Sequence, residues 1–285
     1  MSVVNWHQLY QPLTARPKPL VAESRPCAPL QPYVRCFWGC DAGSPEPAVW
    51  VVPDTCADLI FRIDRAAGAV SVRFCGVDDR PYRSAGGGPH ALFAIRWYAW
   101  TAGYFAQDSL QGTRNGGFAG GWHFPALTAA LAPRLLEAPS HTARIRLAET
   151  LLLTWLEQTR CTMPDAVQTA VGTLLQARGN LRTAELPART FCSARQLERQ
   201  FTAWMGCPPK TLAGLIRYQC LWRDLLTAPD WNVQDAVALY GFADQSHLLR
   251  SFKRYHGMTP ARALAAARGA ESVAFLQSHI PGSGI

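Results

Sequence analysis

Apolar and polar positions alternate over short stretches of the first 140 residues, and clusters of Pro and Gly separate these stretches. Alternation of this kind predicts β-strands, because successive side chains of a strand point to opposite faces of a sheet. The predicted strands are Val34–Trp38, Ala48–Val52, Asp58–Ile63, Val70–Val77 and Leu92–Trp97. Gln111–Gly121 is rich in Gly and is predicted to be a surface loop, with a loop over a pocket as the alternative. The spacing of the strands indicates a small barrel or sandwich.

After residue 140 the apolar positions recur with a helical period. Ser140 is the predicted N-cap of a helix that runs to Gln158. Its apolar stripe consists of Ile145, Ala148, Leu151, Leu152, Trp155 and Leu156. Such a stripe either packs on its own domain or forms a subunit interface, and a homodimer follows from the second alternative. A further helix is predicted from Met163-Pro164-Asp165 to Gly179-Asn180.

A short helix over Thr183–Thr190 is followed by a turn at Phe191-Cys192. Ser193 then caps a second helix, and Gln196 three residues later completes a capping box. Leu197, Phe201 and Trp204 are predicted to face inward, and Gly206 closes the helix. A short helix, a tight turn and a capped second helix together form a helix-turn-helix, although one such pattern also occurs in helical enzymes. Pro187 lies within the first helix and is expected to kink it.

The same arrangement recurs about 51 residues later, which makes a chance pattern a poor explanation. Val233–Tyr240 is a short helix, Gly241-Phe242 is the turn, and Asp244 is the next N-cap. Leu248 and Phe252 repeat the inward pair of the first unit. One long helix is predicted between the two units, with a stripe of Leu212, Leu215, Ile216, Trp222, Leu225 and Leu226. It would hold the two reading helices about 34 Å apart, which is one turn of DNA.

The net charge and composition of the chain are compatible with an anionic partner. The 285 residues are 48% hydrophobic and include 28 Lys+Arg against 20 Asp+Glu, for a formal net charge of +8. Nearly all of the basic residues are Arg, whose planar guanidinium binds phosphates and guanine edges better than Lys does. The best apolar stretch, Ala91–Trp100, is too short to span a membrane and contains Arg96. We therefore expect a cytoplasmic protein without a membrane partner.

Gly241–Arg254, followed by Gly257-Met258-Thr259-Pro260, resembles the signature of the AraC/XylS-type transcription regulators. The first unit matches the same family at Leu186, Ser193, Leu197, Arg199, Phe201, Gly206, Pro208 and Arg217. The resemblance covers about residues 165–268 and implies two recognition helices in successive major grooves of promoter DNA. It also implies contact with RNA polymerase, and activation rather than repression.

Both the resemblance and the exposed helix faces give the same candidate DNA-contacting residues. The base-contacting candidates are Arg195, Glu198 and Arg199 in the first unit and Ser246, His247 and Arg250 in the second. The phosphate-contacting candidates are Lys210, Lys253 and Arg254.

The strand-rich half resembles the sensor domains of one uncharacterised subgroup of these regulators, through Trp50–Asp54 and Asp58–Ile63. This resemblance implies effector binding or dimerisation and identifies no ligand. The candidate effector residues are Trp38, Trp50, Phe61, Arg62, Arg96 and Trp97. In one interpretation an Arg anchors an anionic or aromatic ligand in an apolar pocket. In the other, alternation turns Arg62 and Arg96 to solvent while the aromatic rings fill a core.

Two other functions compete with an effector-responsive regulator. One is a constitutive DNA binder whose first half only dimerises. The other is an enzyme fused to the DNA-binding domain, but no metal-binding His-x-His, nucleophile elbow or nucleotide-binding loop occurs in the sequence. Cys36 and Cys40 form the only close cysteine pair, which we interpret as small buried hydrophobes, with a metal or redox site as the alternative. We expect no catalytic residue, metal or cofactor.

The predicted fold class is α+β, with a strand-rich barrel or sandwich and a following helix in the first domain. The second domain is all-α and contains two helix-turn-helix units joined by a long helix. The predicted boundaries are 1–160 for the first domain, 161–270 for the second and 271–285 for a C-terminal tail.

Overall fold

The computed structural model describes residues 6, 9–13, 22–41, 50–83, 90–159, 161–227 and 232–268. The predicted tail at 271–285 lies outside the described residues, and so does the beginning of the second predicted strand. The fold is α+β, as predicted, with an antiparallel sheet in the first half and helices in the second. Within the described ranges, no helix is long and apolar enough to cross a membrane.

Each predicted strand overlaps a strand of the structure, and three short strands were not predicted. The strands are β1 (Ala22–Ser24), β2 (Val34–Cys40), β3 (Trp50–Val51), β4 (Cys56–Asp64), β5 (Ala69–Cys75), β6 (Tyr82–Arg83), β7 (Ala91–Tyr98) and β8 (Gly117–Ala119). Six of them pair in the order β1-β2-β7-β4-β5-β8, and β3 pairs with β6 in a separate two-stranded sheet. All of these pairings are antiparallel.

The two faces of the six-stranded sheet differ in size and polarity. On β7, Phe93, Ile95 and Trp97 point to one face and belong to the main hydrophobic core, which continues into the helices. Leu92 and Ala94 point to the other face and belong to a small cluster with Cys36 and Trp38 of β2. Burial raises the pKa of Cys36 to about 12, so its thiol is not ionised near neutral pH.

The helices begin earlier in the chain than the sequence indicated. They are α1 (Gly120–His123), α2 (Pro125–Glu137), α3 (His141–Gln158), α4 (Asp165–Gln176), α5 (Leu186–Thr190), α6 (Ala194–Met205), α7 (Pro209–Thr227), α8 (Val233–Leu239), α9 (Gln245–His256) and α10 (Pro260–Arg268). The prediction that strands continue to residue 140 was therefore wrong. In α2, Leu127, Leu131 and Leu135 are buried at four-residue intervals, although Pro133 lies inside the helix. The predicted loop Gln111–Gly121 likewise contains β8 and the start of α1.

The stripe of α3 packs on its own half of the chain. The Ser140 hydroxyl accepts a hydrogen bond from the Ala143 backbone N–H at 3.2 Å, which confirms the predicted N-cap. Ala148 and Leu152 are fully buried, and the Trp155 indole donates to the Tyr104 carbonyl at 3.0 Å. The most buried positions of the stripe thus pack on their own domain, which was the first of the two alternatives; the other was a subunit interface.

The long helix α7 also connects the two halves through its side chains. Gln219 is fully buried in this helix. Its Oε1 accepts a hydrogen bond from the Leu13 backbone N–H at 2.8 Å, and its Nε2 donates to the Pro53 carbonyl at 2.8 Å. One amide therefore satisfies two backbone groups of the first half of the chain.

Candidate nucleic-acid interface

The first helix-turn-helix unit, α5 and α6, forms from local signals that the sequence carries. The Ser193 hydroxyl accepts from the Gln196 backbone N–H at 3.2 Å and so caps α6. Leu197 and Phe201 are buried, as predicted. Gly206 ends α6 in the left-handed region at φ 79°, where glycine has no steric penalty. Pro187 lies in the first turn of α5, where its missing N–H removes no helical hydrogen bond, so the expected kink does not follow.

The second unit, α8 and α9, is built in the same way. The Asp244 carboxylate accepts from the His247 backbone N–H at 2.6 Å and caps α9. Leu248 and Phe252 are buried at the positions that correspond to Leu197 and Phe201. Gly257 ends α9 at φ 83°. The two units thus share an N-cap, an inward pair and a C-terminal glycine.

The structure places all nine candidate DNA-contacting residues at the surface. The exposed base-contacting candidates are Arg195, Glu198 and Arg199 on α6 and Ser246, His247 and Arg250 on α9. The exposed phosphate-contacting candidates are Lys210 on α7 and Lys253 and Arg254 on α9. In each reading helix the base-contacting candidates lie in the first half, which is the end that reaches base edges in helix-turn-helix proteins.

Two of these side chains already have partners within the chain. The Arg254 guanidinium donates to Asp79 of the first half at 3.0 Å, although 57% of its side chain is exposed. The His247 Nδ1 accepts from the Ala243 backbone N–H at 3.3 Å, and its ring meets the Phe242 ring edge-on at 5.2 Å between centroids. His247 is therefore oriented by the turn that precedes α9.

Trp204 lies at the end of α6 and contacts the first half of the chain instead of the interior of its own unit. Its indole donates to the Trp100 carbonyl at 2.9 Å, and its ring meets Tyr104 edge-on at 5.2 Å. A Cβ at Gly103 would come within 2.6 Å of the Trp204 ring, so only glycine permits this approach. Trp204 does pack inward against the main core, as the helical period predicted, but the period did not indicate that the element it meets belongs to the first half of the chain.

The second unit contacts the first half through Asp79 and Trp50. Asp79 is 4% exposed and lies near three arginines, at 3.0 Å from Arg254, 3.7 Å from Arg114 and 3.9 Å from Arg80. The Trp50 indole donates to the backbone carbonyl of His256 at 3.0 Å. The sequence offered no signal for this role of Asp79, because two of the three arginines, Arg114 and Arg254, come from distant parts of the chain.

Arg96 is buried, which contradicts the interpretation that alternation turns it to solvent. Its Nη2 lies 2.9 Å from Asp54 and 3.4 Å from Asp58. Burial alone would lower its pKa, but these two carboxylates outweigh burial and raise the pKa above the usual value. The Trp38 indole donates to Asp58 at 2.7 Å and belongs to the same cluster. Arg62, in contrast, is exposed as that interpretation expected.

The six candidate effector residues do not line one common space. Trp38 and Arg96 lie on one face of the sheet, and Phe61 and Trp97 lie on the other. The rings of Phe105 and Phe124 stack on Trp97, with centroids at 5.5 Å and 5.0 Å. Arg62 is at the surface, and Trp50 contacts the second helix-turn-helix unit.

Comparison with known proteins gives a separate result for each half. Residues 186–266 match the model of a helix-turn-helix domain, and residues 22–116 match the model of a domain of unknown function. The chain has no significant match among curated proteins.

Among solved structures, the chain is similar to the ToxT protein of Vibrio cholerae. The identity is 11%, the alignment covers 82% of this chain and 99% of ToxT, and the TM-score is 0.39. A structure of ToxT with a bound unsaturated fatty acid matches with 11% identity, 88% and 96% coverage, and a TM-score of 0.35.

Proposed function

We propose that the chain is a DNA-binding transcription regulator of the AraC/XylS type and that it is an effector-responsive activator; the helix-turn-helix match over residues 186–266 supports the DNA-binding part. In this proposal α6 and α9 read base edges in successive major grooves of a promoter. Arg195, Glu198, Arg199, Ser246, His247 and Arg250 contact bases, and Lys210, Lys253 and Arg254 contact phosphates. The first half receives a small-molecule effector, and the bound complex recruits RNA polymerase.

One observation carries the effector response. Each reading helix ends in contact with the first half of the chain: α6 through Trp204 and Trp100, and α9 through Arg254 and Asp79. A change in the first half can therefore favour one arrangement of the two helices over another. An effector shifts this balance if it binds the two arrangements with different affinities.

The pairing of Arg254 with Asp79 adds a condition to this proposal. A single guanidinium nitrogen is engaged by the Asp79 carboxylate in the structure. For Arg254 to bind phosphate through that nitrogen, it must leave Asp79, and the second unit then loses one contact with the first half. DNA binding and the attachment of the second unit would thus be coupled.

A homodimer is part of the same proposal. The side chains Leu151, Leu153 and Leu156 on α3 remain half-buried after packing on their own half of the chain. They offer apolar surface to a second copy. Light scattering of the full chain tests this, and a monomer over the concentration range of promoter binding would contradict it.

Promoter binding by substituted proteins tests the DNA contacts. We expect Arg250→Ala to cost about 1–3 kcal/mol at a cognate site and to relax specificity at one base, because a two-pronged Arg contact reads a base edge. Lys253→Ala should weaken binding to all sequences alike and flatten the salt dependence. Arg146→Ala, an exposed Arg on α3, is the matched control and should change neither property. Unchanged DNA affinity in both test variants would refute the groove assignment.

A further inference from the structure

A second buried arginine, Arg144, lies in the first half of the chain near the start of α3. Its side chain is fully buried, and its Nη1 donates to Asp41 at 2.9 Å and lies 3.4 Å from the Cys40 carbonyl. Its Nε and Nη2 are buried as well, and neither has a hydrogen-bond partner among the residues that the structure describes. A charged group with unpaired buried donors is costly, so this arrangement needs an explanation.

The unpaired atoms are the two that bind a carboxylate best. Nε and Nη2 lie on the same edge of the guanidinium plane, and their N–H groups can donate in parallel to two oxygens of one carboxylate. Among the residues that the structure describes, Asp41 is the acidic partner of Arg144; it contacts the opposite nitrogen, Nη1, and has 52% of its side chain exposed. Burial lowers the pKa of Arg144, and Asp41 offsets this only in part.

His141 lies one helical turn before Arg144 and is also unsatisfied. Both of its ring nitrogens are buried and have no hydrogen-bond partner within the described part of the chain. Its ring centroid is 5.8 Å from that of Phe93. A Cβ at Gly39 would lie 2.1 Å from the Leu92 carbonyl oxygen and 3.0 Å from the His141 Cε1, so the glycine of β2 is required first by the neighbouring strand and also leaves space beside the imidazole. A neutral imidazole can donate one further hydrogen bond to an anion.

The electrostatic surroundings favour a monovalent anion. Arg65 lies close enough to Arg144 to lower its pKa, and it donates to the Ala138 carbonyl just before α3. Of the described residues, Arg65 and Arg144 carry two positive charges against the one negative charge of Asp41, and the N-terminus of α3 adds the positive end of its dipole. Arg96 also has unpaired nitrogens, but it faces Asp54 and Asp58, which would repel an anion.

We propose that Arg144 and His141 form a binding site for a small organic carboxylate, with the carboxylate on the Nε/Nη2 edge of Arg144. The inference rests on the proposed function, in which the first half of the chain receives an effector. It replaces Arg96 by Arg144 as the anchoring residue. The adjacent Phe93 ring favours a ligand with an aromatic or apolar body.

The site has a direct structural connection to the first reading helix. It lies at the N-terminal end of α3, and Trp155 near the other end of this helix donates to the Tyr104 carbonyl. The Tyr104 ring in turn packs on Trp204 at the end of α6. A displacement of α3 on ligand binding would therefore reach α6 through one hydrogen bond and one ring contact.

Calorimetry and thermal shift on the full chain test the site, with acetate and benzoate as probes and chloride and inorganic phosphate at equal ionic strength as comparisons. We expect benzoate to bind more tightly than acetate. Arg144→Lys keeps the charge but lacks the two-donor edge, so it should raise the Kd about 10- to 100-fold. Arg144→Met should abolish binding without lowering the melting temperature of the ligand-free protein, because it removes a buried charge with two unpaired donors and leaves its partner Asp41 half-exposed to water. Arg146→Gln, on the exposed face of the same helix, is the matched control and should bind normally.

Three results would overturn the proposal: no binding of either carboxylate to the wild-type chain, equal binding by wild type and Arg144→Lys, or binding of phosphate alone. Promoter affinity measured in the same samples separates this site from the proposed function. A carboxylate that binds through Arg144 without changing promoter affinity supports the site and refutes its effector role. Loss of promoter binding in every sample, with carboxylate binding intact, refutes the proposed function and leaves the site standing.

Discussion

The two helix-turn-helix units are nearly identical in local construction but differ in how they attach to the rest of the chain. The first unit attaches through the aromatic side chain of Trp204, which packs on Tyr104 and bonds the Trp100 carbonyl. The second attaches through the indole of Trp50, which bonds the His256 carbonyl, and, unlike the first, also through charge, with Arg254 bound to the buried Asp79. The motif itself is therefore specified by neighbouring residues in the sequence, whereas its contacts with the first half are specified by residues that are distant in the sequence. The second attachment should be the one that responds to pH and ionic strength.

Removal of the Trp204 side chain should have the largest effect on stability. Trp204→Ala leaves a cavity against Tyr104 and an unpaired carbonyl at Trp100, and we expect a loss of about 3 kcal/mol in the free energy of unfolding. Chemical unfolding measures this. Trp122→Ala is the control, because that side chain is 68% exposed and should cost little. An equally small effect at Trp204 would mean that the first unit is not held by this contact.

Asp78 and His256 lie near the second attachment and should change the free energy of unfolding in opposite directions. Each effect should be about 2 kcal/mol between pH 4 and 6.5, which is smaller than the effect of Trp204→Ala. Burial, followed by the carboxylates of Asp54 and Asp58, raises the pKa of Asp78 from 3.8 to about 7. In this window the folded chain therefore keeps a proton that the unfolded chain loses, and stability falls as pH rises. Burial lowers the pKa of His256 from 6.5 to about 4, so here the unfolded chain binds the extra proton and stability rises with pH.

The wild-type chain should accordingly show a shallow pH dependence in this window. Asp78→Asn should leave the His256 contribution and make stability rise with pH, whereas His256→Gln should make it fall. Chemical unfolding of the three proteins at a series of pH values measures the slopes. Slopes of the same sign in both variants would show that these groups do not control the pH response of the second attachment.

The turns of the two units provide the smallest test. Phe191 ends α5 at φ 53°, and 96% of its surface is exposed. The left-handed conformation is unfavourable for a non-glycine residue, and no packing of the side chain compensates for it. Phe191→Gly should stabilise the chain by about 1 kcal/mol. Gly241 has φ 61° in the second unit, and a Cβ there would lie 2.2 Å from the Asn180 Oδ1. Gly241→Ala should therefore destabilise, and a melting temperature that moves in the same direction for both variants would contradict this account.

Features that depend on a few neighbouring residues could be predicted from the sequence. The caps at Ser193 and Asp244 and the inward pairs are specified within one or two helical turns, and the structure confirms them. Five of the eight described strands were also predicted, because alternation is a local pattern; the three that were missed, β1, β6 and β8, are only two or three residues long. The exception was α2, where Pro125 and Pro133 resemble the breakers between strands, although three buried leucines keep a helical period.

The environment of the charged residues could not be predicted in this way. Arg96 is a single charge in an apolar segment, whereas Arg144 lies in a polar stretch two residues before Arg146, and neither sequence context indicates the partners of the side chain. Their roles separate only when the fold brings Asp54 and Asp58 to Arg96 and leaves one edge of Arg144 unpaired. The partners of Arg144 lie about a hundred positions away in the chain. A pattern of helix and strand periods contains no information about such pairs.

The buried amide of Gln219 has a consequence for how the two halves find each other. Both of its ends are matched to backbone groups, the Leu13 N–H and the Pro53 carbonyl. If α7 docked one turn out of place, the four polar atoms of these two hydrogen bonds would lose their partners, whereas a purely apolar contact would tolerate the displacement. Gln219 thus discriminates between competing alignments of the two halves. The position of the reading helices therefore depends on the register of α7 against the first half, and not only on how tightly the two halves bind.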